Sequence, residues 1–383
     1  MKIGLAHKRL DLRGGTERDL YKTAEGLRDL GHEVHLFCCE YEVEPPVGTF
    51  RHRIPVLPLG RTARLWSFAS LGPRITQEHK CDVVLGFGRM LQQDVLRSGG
   101  GTHLGFLERL GREGGTRRRL WQRMSCYHRS LLAIEKRQFR PGQFKKILAV
   151  SEEVKRDVVQ HYFVPADQIL VLYNGVDQAR FHPSRSQDAR AAVRTQWNIP
   201  LDAPVVLFVG SGFRRKGLDR LLAIWNSSKL QSSYLLVLGD DARIGRYKAW
   251  AETVSKKRII FTGRQENVEN YYAAADVVAL PSVQEAFGNI VLEALSSGVP
   301  VVVSRSVGAS ELLKGALADG IVNMPEDPTE LAAKLVGSLE RAPNSVFRVE
   351  ARRLAEEYSW QNHFRRLEAV LADVSKKKNS GNL

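Results

Sequence analysis

The chain has 383 residues, 43% hydrophobic and 26% charged, which is material for two domains with separate cores and argues against a disordered or fibrous class. A formal charge of +15 and an isoelectric point near 9.8 predict attraction to an anion, whether nucleic acid, an acidic membrane surface or a phosphorylated small molecule. The start "MKIGLAHKRLD" lacks the apolar core of a signal peptide and no run of about 18 apolar residues occurs, so the cytosol is the expected address. Cys38, Cys39, Cys81 and Cys126 have no metal-ligand spacing, and the adjacent pair suits a disulfide poorly, so reduced thiols are expected.

In chain order, "KIGLA", "HEVHLFCC", "CDVVLGFG", "KILAVS" and "ILVLYNG" read as strands, separated by helical patterns such as 16–30 and 118–140. Near-continuous apolar runs between amphipathic segments predict a parallel sheet covered on both faces. After the first strand, Gly14 and Gly15 precede a helix, where a loop tip can approach a ligand or simply turn. Later, Gly99, Gly100 and Gly101 stand directly before His103, so the chain there can pass close to a substrate; for His103 alone a structural role fits as well. Between Glu108 and Lys146 there are twelve Lys or Arg against three Glu, interleaved with Leu120, Trp121, Met124, Tyr127 and Phe139 and preceded by Phe106. That net +9 suits an acidic bilayer surface, a nucleic acid or a solvated helix.

The polar stretch 174–190 reads as a linker. Beyond it, "PVVLFVG", "YLLVLGD", "RIIFTG", "DVVALPS", "PVVVSR" and "GIVNMP" repeat the strand and helix alternation, giving a second doubly wound domain. A helix at 359–374 and a frayed tail "SKKKNSGNL" close the chain. Two such domains place ligands beyond the carboxyl ends of their strands, in an interdomain cleft.

In the second domain "GSGFRRKGLDRLL" follows the first strand and opens a helix, so Gly210 and Gly212 with Arg215 and Lys216 can hold phosphate, although the P-loop ending is missing and an ordinary turn is the alternative. "EAFGNIVLEAL" sets Glu285 and Glu293 eight positions apart. On one helix they would stand roughly 80° and about 12 Å apart and share no ligand atom. A helix start at Gly288 and Asn289 instead leaves Glu285 in the loop and puts Glu293 in the second turn. The two carboxylates can then flank the helix amides, with phosphate on the amides and hydroxyls on the acids, as a nucleotide sugar requires. Two unrelated surface acids would give the same pattern.

These motifs together resemble the retaining glycosyltransferases of family 4, whose GT-B fold pairs two facing Rossmann-like domains across an interdomain cleft. "EAFGNIVLE" matches the family's E-x7-E signature, and "RGGTERD", "YNGVD", "GSGFRRKGLDRLL", "FTGRQENVENYYAAADVVALPS" and "SGVPVVVS" carry the resemblance over nearly the whole chain. "FRRKG", "FTGR" and "GFLERL" are most similar to the branch that glucosylates the lipopolysaccharide core. The resemblance implies an acceptor-binding domain over 1–178, with 359–374 packing back onto it, and a nucleotide-sugar domain over 179–358. It assigns Glu285 to donor-sugar hydroxyls, Glu293 to the ribose, and Arg215 and Lys216 to the leaving diphosphate. Gly212, Gly288, Asn289 and Ile290 complete the phosphate site, Gly15 approaches it from the other domain, and Arg264 and Val268 flank the base. His103 falls near the family residue that touches the transferred sugar.

The implied reaction is retaining transfer of a hexose, glucose from UDP-glucose first, onto a lipopolysaccharide core or related glycolipid, with no cofactor and no catalytic metal. Its partners would be the nucleotide sugar, the glycolipid and, through about 108–146, the inner face of the cytoplasmic membrane, with no nucleic acid. GDP-mannose and UDP-N-acetylglucosamine are the alternative donors; a nucleotide-sugar epimerase and a basic nucleic-acid-binding protein are the competing classes.

Overall fold

The computed structural model describes residues 1–12, 14–109, 125–255 and 257–380, which divide into two units, Met1–Tyr173 with Gln361–Leu383 and Asn174–Trp360. In the first unit seven strands form one parallel sheet: β1 (Lys2–Leu10), β2 (Glu33–Tyr41), β3 (Phe50–Arg53), β4 (Val83–Gly86), β5 (Val95–Ser98), β6 (Lys146–Ala149) and β7 (Ile169–Val171), in the order β3-β2-β1-β4-β5-β6-β7. In the second, β8 (Val205–Val209), β9 (Tyr234–Leu238), β10 (Ile259–Gly263), β11 (Val277–Leu280), β12 (Val301–Ser304) and β13 (Ile321–Val322) form a parallel sheet in the order β10-β9-β8-β11-β12-β13. Both are doubly wound, and the winding reverses between β1 and β4 in one and between β8 and β11 in the other. A ligand crevice opens at such reversal points.

The apolar runs become strands buried on both faces because helices cover both sides. In the second unit Val206, Phe208, Val237, Val277 and Val302 pack with Leu218, Leu221, Leu222, Leu331 and Leu335. In the first, Ile3, Leu5, Leu36, Val83 and Val95 share a core with Leu367, Leu371 and Val374 of the C-terminal helix Trp360–Ser380. The spacing of those three residues makes one helical stripe, and each buried leucine contributes about 1.5–3 kcal/mol.

Three features depart from the sequence reading. The C-terminal helix does not fray after 374; it continues to Ser380, because Val374 and Ser375 remain buried and the Lys378 ammonium reaches Asp94 at 3.0 Å and the Cys81 carbonyl at 3.3 Å. Strands β3 and β5 were not anticipated. β3 is an exposed edge strand of sequence "FRHR", without an apolar run. β5 lies inside the sheet but carries a buried arginine, Arg97, which donates to Asp19 at 2.5 Å. Among the described residues no helix is long and apolar enough to cross a membrane.

Candidate active site

At the carboxyl end of β8 the chain turns through Gly210 and Gly212 into the short helix Phe213–Lys216. Gly210 has φ +136° and Gly212 φ +73°, backbone positions that favour glycine. A Cβ on Gly210 would fall on the stem of Lys216, so the bare backbone is what lets that side chain lie along the loop, buried. Gly217 follows at φ +83°, where a Cβ would strike the carbonyl of Pro281 from the neighbouring loop. Gly217→Ala is therefore expected to destabilise the protein by about 3 kcal/mol or more, combining a strained φ with a backbone clash, measurable as a lower denaturant midpoint.

The adjacent strand β11 ends at Leu280, just before Pro281, and the loop beyond it brings Glu285 back against the segment after β12. The Glu285 amide donates to the Ser306 carbonyl at 3.3 Å, and its own carbonyl accepts from Gly308 at 3.0 Å. Its carboxylate oxygen Oε1 accepts from Arg215 and lies 3.1 Å from the ammonium of Lys216. Arg215 also donates to the Gln284 carbonyl at 3.3 Å, and its own carbonyl accepts from Val283 at 2.9 Å. Two cations from the β8 loop thus converge on one carboxylate oxygen from the β11 loop, at the point where the sheet reverses.

The helix Asn289–Ser296 starts in the same loop. Gly288 caps it at φ +89°, with Val307 where a Cβ would stand. The first amides of a helix have no intrahelical acceptor, and those of Asn289 and Ile290 open this one beside Arg215, Lys216 and Glu285. The Asn289 side-chain oxygen accepts from Asn174 at 2.7 Å, which ties the helix start to the beginning of the unit. Glu293 is in the second turn, and its Oε2 accepts from the Tyr272 hydroxyl at 2.6 Å. Burial, reinforced by the Glu293 charge, raises the Tyr272 phenol well above its usual range, so it stays a donor and fixes the carboxylate. Tyr272 belongs to the helix Val268–Ala274, which connects Val268 to the same region. Arg264, after β10, is exposed, with Nε 4.0 Å from Asp240.

This unit therefore gathers Arg215, Lys216 and Glu285 directly, with Gly212, Gly288, Asn289 and Ile290 shaping the backbone around them and Tyr272 joining Glu293 to the Val268 helix. Fixed cations and helix amides beside hydroxyl-accepting carboxylates can hold a diphosphate that carries sugars. Gly15 and His103 belong to the other unit. Gly15 opens the helix Gly15–Asp29, and a Cβ there would meet nothing within 4 Å.

His103 lines a cavity of about 340 Å³ at the carboxyl ends of β1, β4 and β5, together with His7, Glu17, Gly99, Gly100 and Gly101. Burial first, then the charges of Arg89 and His128, outweigh Glu135 and lower the His103 imidazole to about 4, so it is neutral at pH 7. Its Nε2 lies 3.0 Å from His128 Nδ1. The sequence reading did not single out Tyr272, Asn174, Glu135 or Asp157. Asn174 and Tyr272 fall within family-like stretches, yet their partners, like the loop amides held by Glu135 and Asp157, lie far along the chain.

Models of two families match the chain: Glycosyltransferase Family 4 over residues 13–180 and Glycosyl transferases group 1 over residues 203–341. The chain thus carries a family 4 and a group 1 glycosyltransferase domain. This transferase is 27% identical to the lipopolysaccharide glucosyltransferase WaaG of Escherichia coli strain K12 over 335 residues, covering 86% of the chain and 87% of WaaG. A crystal structure of WaaG matches with a TM-score of 0.80 at 23% identity, covering 96% of the transferase and 99% of that chain. Anabaena HepE in complex with UDP-glucose matches with a TM-score of 0.72 at 18% identity over 97% and 100% of the two chains. At those identities the structural matches speak for the fold, which is GT-B, two Rossmann-like domains in one chain.

Proposed function

We propose that the protein moves a hexose, glucose from UDP-glucose, onto a lipopolysaccharide core or related glycolipid with retention at the anomeric carbon. The observation that carries the reading is the convergence of Arg215 and Lys216 on Glu285 beside the amides of Asn289 and Ile290. Departure of a nucleoside diphosphate builds negative charge on a phosphate oxygen, and preset cations and amides aimed at that oxygen lower the barrier. In this reading Arg215, Lys216 and the helix amides take the diphosphate, Glu285 accepts from donor-sugar hydroxyls and Glu293, steadied by Tyr272, accepts from the ribose. Gly212 and Gly288 leave room for the phosphates, Arg264 and Val268 border the base, Gly15 approaches the phosphates, and His103 borders the transferred sugar. The acceptor hydroxyl attacks from the face the diphosphate leaves, so no protein nucleophile is required, and no cofactor or catalytic metal takes part.

WaaG, 27% identical and named a lipopolysaccharide glucosyltransferase, supports the glucose and lipopolysaccharide assignments, and HepE, bound to UDP-glucose, supports the donor. The basic segment at about 108–146 is proposed to rest on the acidic inner face of the cytoplasmic membrane, where each cation contributes about 1 kcal/mol. Of that segment, 110–124 lie outside the described residues.

Incubating the purified protein with UDP-glucose and purified lipopolysaccharide cores tests the reading by product mass. A single added hexose in α linkage, formed equally well with EDTA present, is the expected product. Unchanged acceptors would overturn the acceptor assignment. Transfer only from GDP-mannose or UDP-N-acetylglucosamine would overturn the donor, and loss of activity with EDTA would overturn metal independence.

A further inference from the structure

The loop Gly99–His103 is held more firmly than a helix start needs. The helix that opens at His103 already has its own cap, since the Thr102 hydroxyl oxygen accepts from the Gly105 amide at 3.0 Å. In the same unit, the helices Cys126–Gln138 and Glu152–Tyr162 begin with such a cap, from Ser125 and Ser151. At His103 two buried carboxylates from those helices are added. Glu135, fully buried, accepts from the His103 amide at 2.8 and 2.9 Å and from the Leu104 amide at 3.3 Å. Asp157, also buried, accepts from the Thr102 amide at 2.6 Å.

Each carboxylate is fully serviced on its other side. Arg89 and the Tyr162 hydroxyl, the latter at 2.6 Å, complete Glu135; Arg109 at 3.3 Å and His161 at 3.2 Å complete Asp157. Burying two acids is costly even when each is paired, and a well-packed apolar pair would support the helix as well. The glycines fit the same clamp: Gly101 has φ +74°, and a Cβ on Gly105 would land on the Asp157 carboxylate. What the clamp fixes is one wall of the cavity, the bare backbone of Gly99–Gly101 and the neutral imidazole of His103.

We propose that Glu135 and Asp157 are positioning residues for glycosyl transfer, which hold the Gly99–His103 loop so that its backbone and the His103 ring face the reacting sugar. The proposal rests on the transfer reading above. Neither carboxylate touches substrate; both act through the loop.

Glu135→Gln keeps the shape but removes the charge and turns one oxygen into an NH2 donor, which must face either Arg89 or the amides of His103 and Leu104, and Asp157→Asn is the parallel change. Tyr162→Phe is the control, removing one hydrogen bond to the same buried carboxylate while leaving both amides held. Hydrogen exchange reads the clamp without any substrate. In Glu135→Gln and Asp157→Asn the amides of 102–104 should exchange at least about tenfold faster than in the wild type, and in Tyr162→Phe by less than about threefold. In turnover, Glu135→Gln should lower kcat by about 10- to 100-fold with the donor KM changed less than about twofold, since a small misplacement of a reacting group costs rate rather than binding. Tyr162→Phe should lower the thermal midpoint comparably and leave kcat within about threefold.

Unchanged exchange at 102–104 in both carboxylate variants overturns the clamp. Faster exchange with unchanged kcat per folded molecule, or equal kcat losses in Glu135→Gln and Tyr162→Phe, overturns its role in transfer. A wild-type protein that turns over no nucleotide sugar overturns the transfer reading and the positioning role with it, and the exchange result still decides the clamp. If Glu135→Gln does not fold, Asp157→Asn carries both readouts.

Discussion

Lys216→Ala is expected to lower kcat by about 100- to 1000-fold, the loss seen when one preset stabiliser of a developing oxyanion is removed. The expectation rests on where the ammonium sits. Lys216 is buried, its stem lies along Gly210, and its charge stands 3.1 Å from Glu285, so it is already desolvated and aimed before a diphosphate arrives. Arg215, whose side chain is 47% exposed, reaches the same carboxylate from the solvent side. Water screens an exposed charge strongly and a buried one far less, so the buried lysine outweighs the exposed arginine despite the better hydrogen-bonding geometry of the guanidinium. Arg215→Ala should therefore cost clearly less than Lys216→Ala, on the order of tenfold. Single-turnover rates at saturating UDP-glucose measure both, and equal losses, or a larger loss at Arg215, would sink this ranking. The thermal midpoint of Lys216→Ala should fall by only a few degrees, because the ammonium meets a loop carboxylate rather than the sheet core.

How far the sequence shows this site depends on how local each feature is. The β8 loop and the β11 loop each follow a continuous apolar strand and each end in a helix, so their glycines, cations and acids can be placed from the pattern alone. Their convergence is set by sheet order. β8 and β11 are neighbours only because the winding reverses between them, and nothing between residues 209 and 277 states that locally. The supporting groups are less visible again. Tyr272 reads as one more aromatic in a short helix, yet it fixes Glu293 across 21 positions. Glu135 looks like an ordinary acid in a basic helix, and its four partners come from three other segments. β5 is hidden for a related reason: the buried Arg97 breaks its apolar run, and the pairing with Asp19, 78 positions away, helps make that arginine tolerable inside the fold.

Glu285→Gln should move binding and rate in opposite directions. The Glu285 carboxylate oxygen engages both Arg215 and Lys216, so an arriving anion competes with it for the same two cations. Glutamine keeps the length of the side chain and removes the charge, which leaves the cations more available to phosphate. UDP is therefore expected to bind the variant several-fold more tightly, since an anion no longer has to displace a like charge from Arg215 and Lys216. Sugar transfer is expected to fall by about 100-fold or more, because the amide is a poorer acceptor for the donor-sugar hydroxyls and no longer balances the positive charge that forms at the anomeric carbon as the diphosphate leaves. If Glu285 only braced the two cations in place, its loss would weaken UDP binding and slow transfer together. Calorimetric titration with UDP and a transfer assay on the same preparation separate the two cases: tighter binding with slower transfer supports a role at the donor sugar, and weaker binding with slower transfer removes it.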